Sequence, residues 1–445
     1  MSIQKRKIFF YILLAIFLLG GGVVTLYSQG YRFDYKTIAI RKVGGVFVRS
    51  EPTDAFIFLD GKQIKNQSWL LQNGTLISNL IPDTYTLELK KDGYRPWRKL
   101  VTIEPSLVTE ADAIMLIPDT APISFDSNVI SVRISGTNVI EQKSDGSLRI
   151  NNEKHMATGT LLAVSPDQKS GLFLNSKGSL HFIRDLEAGS SILNISLLFN
   201  NLLERILQVS EKATIAYIAY HPNDSQKLFV GTKKAVYLMD KEKLTLALLE
   251  GGGVHYFKVT NNGFFWVNDK NELRRYDYKN RERETVMTDV GDIKDIEVLS
   301  NSSEIGFAIL KKDGSLWLFN PNLTEKSEAA DQAKLFVFSP DNQKIVFIDR
   351  DGKINIQSLV KKEKKASFIL PIEGEIDSLL WWRDSGHLFI RYTDGKIYFT
   401  ETDGIMPVNS YLLSENINAY AYDSNRDVLF MLQGTNLLRF SLTKQ

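Results

Sequence analysis

The chain has 445 residues, 43% of them hydrophobic, with 54 basic against 52 acidic side chains and no cysteine. That length and apolar content exclude a disordered chain and predict two or three folded units, while a formal charge of +2 creates no field that argues for nucleic acid. The missing cysteine excludes disulfides, thiolate metal sites, a cysteine nucleophile and a lipid anchored through an N-terminal cysteine.

Residues 1–7 include Lys5, Arg6 and Lys7 and read as a short cytoplasmic tail. Residues 8–27, "IFFYILLAIFLLGGGVVTLY", carry no charge. As a helix rising about 1.5 Å per residue they cover the roughly 30 Å of bilayer hydrocarbon, so a transmembrane helix is expected. The run exceeds the apolar part of a typical signal peptide, and "VTLYSQG" offers no small-x-small cleavage site. Arg32, Lys36, Arg41 and Lys42 compete with the N-terminal bases for the cytoplasmic side. A long downstream region is usually exported whatever its charge, which places the bulk of the chain outside the cytoplasm on a single-pass cell-membrane anchor. Residues 28–44 form a juxtamembrane linker, in which Tyr31, Phe33 and Tyr35, with Tyr27 before them, suit the headgroup level.

Residues 45–118 alternate polar and apolar side chains in "VFVRSEPTDAFIFLDGKQI" and "LISNLIPDTYTLELKKDGYRPWRKLVTI", punctuated by Pro, Asp-Gly and Pro-Asp. This is the pattern of short antiparallel strands with one wet face, a small β-sandwich. The stretches "SEPTDAFIFLDGK" and "LIPDTYTLELKKDGYRPW" resemble the PEGA domain family, with Asp54 and Asp83 where that family has glycine. The resemblance implies a surface module beside a membrane anchor and transfers no catalytic residue.

Residues 119–445 repeat one pattern. "FSPDNQKIVFIDRDGKINIQ" (338–357) recurs at 132–150, 163–183, 219–239, 258–276, 297–319, 381–399 and 421–440, eight copies in all. Each has a strand, a polar turn, a second strand, an Asp-Gly-like hairpin and a third strand, leaving a fourth for the segment between copies. Repeats of about 40 residues with four strands are the period of a β-propeller, with eight blades favoured and seven possible if the weak first copy only completes a ring. These turns resemble the blades of TolB-like and WD-type propellers, which implies architecture and no site residues; the Trp-Asp dipeptide of WD blades is absent. The strand "ADAIMLI" (111–117) is a candidate to close the circle against the last blade. The overall class is mainly β: one transmembrane helix, a PEGA-like sandwich and a propeller.

The repeat also explains its acids. Asp313, Asp341, Asp351 and Asp394 fall where turns need a side chain that bonds nearby backbone, and Gly314, Gly352 and Gly395 where a Cβ is penalised. "DRDGK" lacks the ligand number of a calcium loop, and His155, His181, His221, His255 and His387 show no metal spacing, so no metal and no cofactor are expected. No G-x-S-x-G elbow occurs, and Gly251–Gly253 precede a strand and not a helix, so they read as a turn and not a phosphate cradle. Trp381 and Trp382 are adjacent and on a strand point to opposite faces, each filling a layer between blades or, for Trp381, stacking on a ligand at the ring's mouth. Trp97, between Arg95 and Arg98, is either cover for the sandwich or a contact for headgroups or an anionic glycan. "KKEKK" (361–365) reads as a solvated loop between blades or, alternatively, as a contact for an anionic polymer. Residues 190–211 break the period, with Leu198, Leu202, Ile206 and Leu207 at helix-like intervals, either a packed element or an exposed partner-binding insertion.

These readings converge on a non-enzymatic, membrane-tethered binding or scaffold protein that presents a propeller to an envelope polymer or protein, with Leu198, Leu202, Ile206, Trp381 and Trp97 as candidate contacts. The alternative is a propeller glycan hydrolase or lyase with acids at the central channel. A ligand sensor acting through the span is a third reading.

Overall fold

The computed structural model describes residues 3–67, 74–136, 138–151, 153–155, 159–175, 177–178, 180–186, 192–261, 263–299, 306–319, 326–359, 366–370, 372–405 and 407–443. The chain is mainly β and divides into two compact units, Met1–Ala121 with Thr400–Tyr411 and Leu442–Gln445, and Pro122–Phe399 with Leu412–Ser441. Against the expected division at 118/119, the units part at 121/122, and two short downstream segments belong with the first unit.

The first unit begins with helix α1, Ile3–Ser28, whose stretch Phe9–Ser28 is long and apolar enough to cross a membrane and has no buried residue. Arg32 donates to the Tyr27 carbonyl at 2.8 Å, satisfying one of the acceptors a helix C-terminus leaves open, and lies over the Tyr27 ring. A hairpin follows, Tyr31–Asp34 paired with Ala39–Lys42. The rest is a sandwich of a three-stranded sheet, ordered Thr75–Leu80, Gly44–Glu51, Val108–Met115, and a four-stranded sheet, ordered Lys62–Ile64, Phe56–Leu59, Thr84–Lys90, Trp97–Thr102. Alternation puts Val46, Val48, Ile57, Leu87, Leu89 and Trp97 into one core. The expectation that 111–117 closes the propeller is overturned: Val108–Met115 pairs parallel with Gly44–Glu51 inside the sandwich.

The second unit is built on eight four-stranded antiparallel sheets among the described residues, the seventh of which also takes in Thr400–Glu401 and Ser410–Tyr411. In the first seven, four consecutive strands follow one another in order, starting at Val129, Thr160, Ile215, Val254, Ile293, Ala333 and Ile376. Every repeat read from the sequence supplies the first three strands of one sheet. The eighth sheet takes Ile417–Asp423, Val428–Gln433 and Asn436–Ser441 from the end of the chain and its outer strand, Ile123–Asp126, from the start of the unit. This strand plan, with the last sheet completed by the first strand, is that of a β-propeller.

Each sheet buries a face on the next. Leu161 and Phe173 share a core with Ile140 and Leu148 of the sheet before; Phe265 and Val267 share one with Ile296 and Ile309 of the sheet after. Val129, Val132 and Val139 of the first sheet pack with Val428, Phe430 and Leu432 of the eighth.

Helix α2, Ile195–Leu207, interrupts this order after the second sheet. Asn194 caps it, its side chain accepting from the Leu197 N–H at 2.9 Å, and the chain leaves through Gln208 in the left-handed region. Phe199, Leu202 and Leu203 fill the space between the second and third sheets, beside Leu172, Ile183 and Tyr237.

Candidate partner-binding surface

The first strand of every sheet in the second unit slips register near its start, one residue in, or two in the second sheet. A slip of this kind is a β-bulge, with one residue left out of the ladder. In the first four sheets that residue is Ile130, Leu162, Ala216 and His255; in the last four it is Lys294, Lys334, Asp377 and Asn418. The residue before it is always a buried aliphatic, while the bulged residue is exposed, or half-buried at Leu162 and Lys334. First strands of neighbouring sheets lie against one another, as in the pairs starting at Val129 and Ile417, Thr160 and Ile215, and Ala333 and Ile376. The bulges therefore gather at one end of the stack.

A bulge frees a carbonyl from the ladder, and three of these are met by a cation from the preceding sheet. Arg133 donates to Leu162 O at 2.9 Å, Lys294 to Lys334 O at 2.6 Å, and Arg391 to Asn418 O. The acids here are engaged too. Asp377 pairs with Arg391 at 2.6 Å, Glu375 with Lys334 at 2.6 Å, and Asp295 with Lys258 at 2.7 Å. At the far end of its strand, burial pushes Glu297 up to about 7, and its carboxyl accepts from the Phe338 N–H of the next sheet at 3.4 Å. Tyr256 is also raised by burial and accepts from the Ile296 N–H at 3.0 Å. Apart from the Asp377–Arg391 pair, which lies within the seventh sheet, these contacts bind sheet to sheet, so the polar groups here act first as stitching.

The opposite ends of the first strands carry the Ser-Pro-Asp turns. Asp341 accepts from Ser339 Oγ at 2.5 Å and from the Gln343 N–H at 3.0 Å, with Asn342 at φ 59°. In the next hairpin, Asp349 and not Asp351 accepts from the Lys353 N–H, at 2.9 Å. Asp313 and Asp394 accept from Ser315 and Lys396 N–H groups, and Gly314, Gly352 and Gly395 all have positive φ. Turns also reach the next sheet: the Asp167 N–H donates to Ser225 Oγ at 3.1 Å, the Asp341 N–H to Ser385 Oγ at 3.2 Å, and Asn425 to Gly136 O at 3.5 Å. Among the described residues no cluster of three His, Asp or Glu side chains is arranged to hold a metal ion.

The residues chosen from sequence as contacts fall mostly inside. Trp381 is 3% exposed and donates to Val337 O at 3.2 Å in the sixth sheet; Trp382 donates to Asp427 Oδ1 at 2.7 Å in the eighth. The pair does point to opposite faces, but Trp381 is closed to a ligand. Trp97 is 2% exposed and donates to Glu401, whose segment belongs to the same unit. Leu202 is 2% exposed and Leu198 is packed against the core, which corrects the insertion reading for both: their side chains are needed between two sheets. Ile206 is exposed, with Leu197 on the same helix. His181 and His221 are lowered by burial, His387 meets Asp384 at 2.6 Å and His255 meets Asp269 at 3.2 Å. "KKEKK" and the side chain of His155 lie outside the described residues. The bulge positions escaped the sequence reading; an aliphatic residue followed by a variable one at the head of each repeat is the signal that marks them.

The second unit is thus a repeat structure of propeller plan. No family model matches the chain, and no curated protein matches it. Among solved structures it is similar to the C-terminal WD40 domain of Sif2, at 11% identity over 73% of this chain and 100% of that one with a TM-score of 0.48. Sqt1 of Saccharomyces cerevisiae matches at 11% over 73% and 100%, TM-score 0.49, and the computationally designed Ika8 protein at 10% over 72% and 98%, TM-score 0.47.

Proposed function

We propose that this protein is a membrane-tethered binding scaffold whose second unit is an eight-bladed propeller and whose bulge-bearing end receives a protein partner. Helix α1 is its anchor, the bulk of the chain is extracytoplasmic, and the sandwich is a PEGA-like module. One observation carries the reading: eight equivalent bulges present eight side chains that are not equivalent, on a backbone stitched between sheets. Constant framework with divergent exposed residues is how a repeat protein makes a specific surface. An aliphatic arc at Ile130, Leu162 and Ala216 faces a polar one from His255 to Asn418. The charges are paired internally, which favours a protein over an anionic polymer.

The same pairing weighs against a glycan hydrolase, which needs two carboxyl groups about 5–9.5 Å apart and open to a sugar. Photo-crosslinking in native membranes tests the proposal. A photoreactive residue at Ile130, His255 or Asp377 is expected to yield discrete protein adducts, and one at Asp167 or Asn342 none. Adducts confined to the Ser-Pro-Asp end, or none from either, overturn it.

A further inference from the structure

The hairpin after α1 is folded inside out. Its register sets Phe33 opposite Ile40 and Tyr31 opposite Lys42, and at the turn the Tyr35 ring meets that of Phe33, with centroids 5.0 Å apart. Soluble hairpins turn such a face inward. Here Tyr35 is 84% exposed, Ile38 80%, Ile40 60% and Phe33 46%.

The polar face is the one that docks. Asp34 is buried, accepts from the Lys36 N–H at 2.9 Å and from Thr37 Oγ1 at 2.5 Å, and meets Arg41 at 3.5 Å. Arg32 donates to Asn79 Oδ1 at 3.0 Å, Lys36 to Asp83 Oδ2 at 2.9 Å and Arg41 to Pro82 O at 3.5 Å, all on one edge of the sandwich. Polar contacts thus fix the hairpin to its own unit and leave the apolar side bare.

We infer that this face lies in the headgroup boundary of the bilayer that holds α1, as a second, interfacial contact; the inference rests on α1 being a membrane span. Continuity identifies the occupant as lipid. The apolar surface of α1 is itself uncovered, and Arg32 ties the hairpin to the last turn of that helix through Tyr27 O. The face therefore begins where the span ends. Tyr35 offers an apolar ring with a polar tip, Phe33, Ile38 and Ile40 supply buried area, and Lys42 at the margin suits anionic headgroups. The sandwich would then be held against the membrane and not swing from a flexible tether.

The chain has no cysteine, so single spin labels can be placed cleanly in the full-length protein. In vesicles of phosphatidylcholine with phosphatidylglycerol, labels at Phe17→Cys, Phe33→Cys, Ile38→Cys and, as a remote control, Lys62→Cys are compared for collision with oxygen and with a water-soluble nickel chelate. The labels at 33 and 38 are expected to favour oxygen, as the one at 17 does, with the one at 62 favouring nickel. Ile40→Asp is expected to shift the label at 33 toward nickel. If 17 is in lipid and 38 in water, the inference falls while the anchor stands. If 38 is shielded from both reagents, protein covers the face and the inference also falls. If 17 is in water, the anchor itself fails.

Discussion

Each unit buries a lysine among carboxylates, and the two solve the problem differently. In the first, the Lys99 ammonium, almost fully buried, serves two carboxylates, Glu401 at 2.6 Å and Asp403. In the second, Lys143 and Arg149 both converge on Asp126, each at 2.6 Å, and leave Glu141 3.8 Å from Lys143. Glu141 is 0% exposed and neither of its oxygens accepts a hydrogen bond among the described residues. Burial, and then Asp126 beside it, pushes its pKa up to about 7. Burial opposes ionisation of Asp126 as well, but hydrogen bonds from Glu141 and Lys143 hold it well below the usual carboxylate range. Equal numbers of cations and anions do not make a balanced cluster; where the cations point does. A proton on Glu141 completes the second cluster by turning an orphan acceptor into a donor.

The largest effect is expected in the first cluster. Lys99→Met removes the cation and leaves Glu401 buried beside Asp403, a loss of about 3–5 kcal/mol for one partner of a buried pair. Thermal unfolding is expected to shift down, with limited proteolysis cutting first within 400–411. Unchanged melting and cleavage would show that the carboxylates find another partner.

The second cluster makes a pH-dependent difference. The folded pKa of Glu141 is raised from 4.5 to about 7, so the folded state holds a proton that the unfolded state releases. Its stabilisation is full below pH ~4.5 and is lost as pH rises through ~7, about 3 kcal/mol in all. Glu297, also raised by burial to about 7, acts in the same direction. Comparing Glu141→Gln with wild type isolates the first group. Gln supplies a permanent donor toward Asp126, so the variant is expected to be the more stable at pH 8 and to lose part of the slope between pH 5 and 8. Parallel curves would place Glu141 outside the cluster's proton balance.

A smaller effect separates the paired tryptophans. Trp382→Phe strips a donor from Asp427, a buried carboxylate that also accepts from Tyr422 Oη at 2.7 Å, and is expected to cost about 1–3 kcal/mol. Trp381→Phe removes one bond to a backbone carbonyl and is expected to cost less. Chemical unfolding of the two variants ranks them, and a reversed order would shift the weight to the junction with the sixth sheet.

The two units were unequally legible in sequence. Eight repeats were readable because their polar turns and Asp-Gly-like hairpins need side chains of a particular kind, and that kind recurs even though Ser-Pro-Asp itself stands in only two copies and Asp-Gly in four. Partners distant along the chain left no such mark. Nothing local to Trp97 and Lys99 points to Glu401, about three hundred residues away. "ADAIMLI" has a stronger strand pattern than "ISFD" (123–126), yet the latter completes the eighth sheet, because pairing depends on where the chain has been led. In α2 the spacing of Leu198, Leu202 and Ile206 drifts about 40° per step, whereas the buried stripe runs through Ile195, Phe199, Leu202 and Leu203. The bulges are set by cross-strand register, and the aliphatic residue with its variable follower marks them only once the eight repeats are aligned with one another.

The smallest effect tests whether those bulges are held mainly by their cations or by the ladder itself. Arg133 reaches Leu162 O from an exposed position, so water can replace it, and Arg133→Met is expected to cost about 0.5 kcal/mol, the low end for a hydrogen bond. The local consequence is sharper than the global one. With its carbonyl returned to water, the strand Thr160–Val164 is expected to exchange its amide hydrogens faster, while Val129–Ser135, which supplies the arginine, keeps its rate. Faster exchange in both strands would mean that the side chain couples the two sheets; no change in either would mean that the aliphatic residue buried before each bulge is sufficient to hold it.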